Sequence, residues 1–114
     1  MSLPRRKFPL ITNTSVDAAS YFAGTWLQGG MRGHSLIELE MSFGTTATAY
    51  VVYSTTQGTG GIFATTALNS STAIPANQLY NLSHHAHATS IYWNYQLSAT
   101  TTVKLFTTTE LGIW

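Results

Sequence analysis

HSLIELEMSF, residues 34–43, alternates well: Ile37, Leu39, Met41 and Phe43 fall on one side of an extended chain, and Glu38, Glu40 and Ser42 on the other. Successive side chains of a strand point to opposite faces, so this period of two describes a half-buried β-strand with one face on a core and one in water. After the link GTT, the run ATAYVVYS repeats the pattern, with Ala47, Ala49, Val51 and Tyr53 on one face and Thr48, Tyr50 and Val52 on the other. So short a link predicts a hairpin between the two. Glycines in TQGTGG mark a loop, GIFATTAL reads as a further strand, and NSSTAIPANQ is a turn-rich connection around Pro75.

Further along, LYNLS, the segment HHAHATSIYWNYQL (residues 84–97) and TTTVKLFTTTE complete the set, the last two joined by SATT as another hairpin link. Upstream, YFAGTWLQ is short and aromatic-rich and GGMRG a glycine turn. No segment carries sustained helical spacing. The expectation is an all-β chain: one antiparallel β-sandwich, jelly-roll-like, of seven or eight short strands over residues 21–114. Residues 1–20, with two prolines and a charge cluster, read as an extended N-terminal arm that becomes ordered on another surface.

Composition supports this. The chain of 114 residues is long enough for a single core, and its 19 Thr and 11 Ser suit strands and turns. Charged residues make up only 8%, far below the usual quarter or so, which leaves a monomer poorly protected against association. Copies of the chain itself, as a trimer or larger ring, are therefore the expected partners. Cysteine is absent, which excludes disulfides, thiolate metal sites and a cysteine nucleophile. The apolar run Phe8 to Ile11 is broken by Pro9 and too short for a signal-peptide core, and no stretch approaches a membrane span. No membrane partner is expected.

Four groups of residues invite a chemical reading. On a single-strand template of residues 84–97, His85 and His87 share a face with Ile91, Trp93, Tyr95 and Leu97. Two imidazoles at i and i+2 reach one metal ion but supply two ligands only, so a transition-metal ion would have to be shared between subunits. The alternative is ordinary hydrogen bonding at a strand end, and no cofactor is otherwise expected. Glu38 and Glu40 form a carboxylate pair on an exposed strand face, which is also what a solvated face looks like. No nucleophile elbow, phosphate loop or dinucleotide fingerprint is present, and no enzymatic activity is expected.

The third group is the arm, in which Arg5, Arg6 and Lys7 precede the apolar anchors Phe8, Leu10 and Ile11. That order favours docking on a neighbouring subunit over contact with nucleic acid phosphates. The fourth is aromatic: Tyr50 and Tyr92, on the faces opposite the core, are candidates for ligand contacts on a carbohydrate- or receptor-binding module of adhesin or fibre type.

The succession AASYFAGTWLQGG, HSLIELEMSF, TATAYVVYS and YWNYQLSATTTVKLF resembles the cadence of small jelly-roll or sandwich structural proteins of bacteriophage and viral particles, over roughly residues 18–110. The histidine spacing also resembles the His-x-His metal motif of trimeric phage tail spikes. The resemblance implies a non-enzymatic virion protein (capsid, decoration, fibre or tail component) made in the host cytoplasm. In such proteins the β-body supplies the interface, the arm ties neighbours together, and other virion proteins join as partners.

Overall fold

The computed structural model describes residues 5–22, 26–28, 35–86 and 92–112. Eight strands follow in order: β1 (Arg5–Val16), β2 (Leu27–Gln28), β3 (Ser35–Phe43), β4 (Ala49–Ser54), β5 (Ile62–Ala67), β6 (Tyr80–Ala86), β7 (Tyr92–Leu97) and β8 (Thr101–Gly112). They form two four-stranded antiparallel sheets, one ordered β1-β8-β3-β6 and the other β2-β7-β4-β5. The pairs are nested: the first strand lies on the eighth, the second on the seventh, the third on the sixth and the fourth on the fifth. One long antiparallel ribbon, folded over on itself, gives this order, and it is the jelly roll that the sequence led us to expect.

Between the sheets lie the alternating residues read from the sequence. Ile37, Leu39, Met41 and Phe43 of β3 are fully buried, and Ala49, Val51 and Tyr53 of β4 face them with Ala47 just ahead of the strand. Trp93, Tyr95 and Leu97 of β7 and Val103 and Phe106 of β8 fill the remainder. Phe106 is central: Phe22 meets it edge-on at 4.6 Å between ring centroids and Tyr95 lies at 4.9 Å. Rings so disposed place positive edges against negative faces, adding to the gain from burial.

Three expectations about connectivity are corrected. The links 44–48 and 98–100 are not hairpins, because β3 and β8 belong to one sheet and β4 and β7 to the other. Each link instead carries the chain across the core, and among the described strands only β4 and β5 are sequence neighbours that pair. Residues 84–97 are not one strand either: β6 ends at Ala86 in the first sheet and β7 starts at Tyr92 in the second. Alternation restarts across that break, so no face runs through from the histidines to Trp93.

Residues 5–16, read as part of an arm, form the outermost strand of the first sheet on β8. Its register shifts between Pro9 and Ile11, where proline, lacking an N–H, could not serve an unbroken ladder. The following turn is held by Ala19, which donates its N–H to the Leu97 carbonyl at 2.9 Å and accepts Gln96 Nε2 at 3.0 Å. Ala19 does so at φ 61, in the left-handed region. In the β4–β5 loop a side chain at Gly61 would place its Cβ 2.9 Å from the Thr56 nitrogen, so glycine is required by the close approach.

Candidate functional site

His84, rather than His85, is the histidine turned inward. β6 presents Tyr80, Leu82 and His84 to the core side and Asn81, Ser83 and His85 to solvent. In the register with β3, His84 stands opposite Ile37, itself fully buried. The His84 ring meets the Tyr95 ring nearly edge-on at 5.7 Å between centroids.

With the imidazole neutral, donors and acceptors there admit one consistent assignment. His84 Nδ1 lies 3.2 Å from the His85 carbonyl, which can only accept, so Nδ1 carries the hydrogen. Nε2 is then an acceptor, and the Tyr95 hydroxyl donates to it at 2.8 Å. Tyr95 in turn accepts from Trp93 Nε1 at 3.1 Å, and Tyr53 donates its hydroxyl to the His85 carbonyl at 2.9 Å. Every member is satisfied with the imidazole neutral. Burial agrees, pushing the His84 pKa down to about 4 against the partial opposition of the His85 carbonyl bond. The same burial raises the Tyr95 hydroxyl well above the ordinary tyrosine range. These bonds tie β6 of the first sheet to β4 and β7 of the second, a polar link at an end of the core.

The other candidates are dispersed. His85 is exposed on the face opposite His84, and His87, the second member of the expected metal pair, lies outside the described residues. Among the described residues no three histidine or acidic side chains gather as metal ligands. Glu38 is exposed and Glu40 half-buried on the outer face of the first sheet, with Ser83 and Asn81 opposite on β6. Tyr50 and Tyr92 are half-buried on the outer face of the second sheet. Tyr50 pairs with Gln96 and Tyr92 with Ser54, four residues along, so about 13 Å separates them and they make no common platform.

For Arg5, Arg6, Lys7, Phe8 and Leu10 the backbone alone is described. It lies in β1, with Arg5 opposite Leu111 and Arg6 opposite Glu110. Ile11 packs, half-buried, against the protein's own core. It also borders a shallow groove of about 190 Å3 with Thr14, Ser15, Asp17, Ser20 and Tyr21, where the Tyr21 ring leans on Trp26 at 5.3 Å.

Sequence reasoning missed Glu110, which is fully buried in β8 between Arg6 and Ile37 in register. The alternation Phe106, Thr108, Glu110 was the available signal, but carboxylates rarely occupy a core face. No model of a known protein family matches the chain, and no curated protein matches it.

Proposed function

We propose that the protein is a non-enzymatic structural component of a viral or bacteriophage particle, assembling into a symmetric homo-oligomer through the surface of its jelly roll. The observation that carries this reading is the low charge of the chain, 8% of residues, on a jelly roll whose interior is filled by Trp93, Tyr95, Phe43 and Phe106. Function on such a body resides on its edges and outer faces. A jelly roll serves capsid, lectin and cupin proteins alike, so the fold alone does not choose. The low charge and the resemblance in strand cadence favour assembly.

Docking of residues 5–16 on a neighbouring copy then takes the form of strand exchange, β1 of one copy occupying its place on β8 of the next. Sedimentation and electron microscopy of the purified chain over a range of concentrations test the proposal. Discrete closed assemblies are expected, and a monomer throughout would refute it.

A second reading rests on the groove beside β1. Hydroxyls of Thr14, Ser15 and Ser20, the Asp17 carboxylate and the Tyr21 ring are the groups that grip sugars, which keeps a glycan-binding module in contention. A glycan array separates the two, since binding abolished by Asp17→Ala belongs to the groove.

A further inference from the structure

A sheet edge offers unpaired backbone groups to any strand of matching register, and proteins blunt edges with charge, proline, bulges or brevity. Among the described strands, two of the sheet edges carry such features. β1 carries Arg5, Arg6, Lys7 and Pro9 and a register shift, and β5 has a register shift at its start, where Tyr53 and Ser54 face Ala64 and Ile62. β6 differs. Its seven residues, YNLSHHA, pair with β3 from Tyr80 to Ala86 in unbroken register, with no proline and no Lys, Arg, Asp or Glu. Asn81, Ser83 and His85 are exposed along it.

We infer that β6 is a twofold contact surface whose partner is β6 of a second copy, paired antiparallel about Ser83 to join two first sheets into one. The inference rests on the assembly reading above and names one of its contacts. Self-pairing requires opposed residues to present their backbone groups with the same parity, so any residue can be the centre. A centre at Ser83 alone engages all seven positions. Tyr80 then lies opposite the copy's Ala86, Asn81 opposite the copy's His85, and Leu82 opposite the copy's His84. The solvent face of the joint becomes the row Asn81, Ser83, His85 against His85, Ser83, Asn81, polar and free of opposed like charges. The contact is isologous, joining copies in pairs whatever further symmetry the assembly has.

The absence of cysteine makes the test direct. Residues opposed at the axis have Cα atoms about 4.5–5.5 Å apart, within the range a disulfide spans. Ser83→Cys is expected to form a disulfide-linked dimer on mild oxidation far faster than Thr72→Cys, an exposed turn position outside the contact. Ser83→Lys sets two cations against each other at the axis and is expected to weaken self-association about tenfold or more, with the melting temperature showing that the fold survives. If the native chain assembles but Ser83→Cys links no faster than Thr72→Cys and Ser83→Lys leaves the native mass unchanged, the β6 contact is refuted and the assembly reading stands. If the native chain is monomeric at every concentration and Ser83→Cys does not link, both fall.

Discussion

Acidification should destabilise this fold through one residue. Neutral His84 accepts from Tyr95 and donates to the His85 carbonyl. A proton on Nε2 would replace that acceptor with a second donor toward the Tyr95 oxygen, leave the Tyr95 hydrogen without its acceptor, and place a charge between the sheets. Burial lowers the folded-state pKa from 6.5 to about 4, so between those values the unfolded chain binds more protons than the folded one. Stability from this group is complete above pH 6.5 and is lost as pH falls toward 4. Linkage over this interval sets a ceiling of about 2 kcal/mol lost by pH 5 and about 3 kcal/mol by pH 4. The assay is denaturant unfolding at pH 8, 6.5, 5 and 4 for the native chain and for His84→Gln, whose side-chain oxygen can still accept from Tyr95. Other groups titrate in both proteins and cancel. The difference between the two curves should grow by these amounts on acidification; parallel curves would refute the assignment of a buried neutral imidazole.

Three further outcomes follow from particular geometries. Gly61→Ala forces a Cβ against the Thr56 nitrogen and should cost about 1–3 kcal/mol, while Gly58→Ala, with open space around it, should be neutral; thermal melts distinguish them. Ala19→Gly relieves a left-handed alanine and should raise stability by up to about 1 kcal/mol, whereas a loss in chemical denaturation would show the strain to be absent. Deleting residues 1–20 removes β1 with buried Val16 and half-buried Ile11, and should destabilise the fold by about 3 kcal/mol or more, measured by urea unfolding at low protein concentration.

Strands with one face in the core were legible because burial writes a period of two into the sequence. Ile37 to Phe43 and Ala47 to Tyr53 occupy the faces assigned from alternation alone. Sheet membership was not legible, since a link such as residues 44–48 has the same length and composition whether it turns back beside its strand or crosses the core. Choice of partner lies in tertiary packing, in this case β8 rather than β4 against β3. The break within residues 84–97 was hidden for a related reason: AHATSI contains no glycine, proline or asparagine to mark it. With that break unseen, parity was carried backward from Trp93 and assigned the inward role to His85 instead of His84. β1 was obscured by Arg5 to Lys7 and Pro9, which signal a loose segment in isolation yet suit a bulged edge strand. The groove beside β1 draws on the strand's end, the following turn and Tyr21, a convergence set by how residues 17–22 turn along β7.

The nesting of β1 on β8 also governs when the molecule can be finished. Arg5 meets Leu111, so β1 leaves the ribosome well before β8, its partner, and the pairing closes a long stretch of chain. Loop-closure entropy makes such distant pairings slow to form, with all-β domains of this kind folding in milliseconds to seconds. During that interval β3 to β7 can already be in place while β8 offers an open flank to any β1 nearby. If copies exchange β1 as proposed, the nearest β1 in a crowded synthesis site can belong to another chain, and the competition between self-closure and capture would make the yield of linked copies depend on how fast and how densely the protein is made.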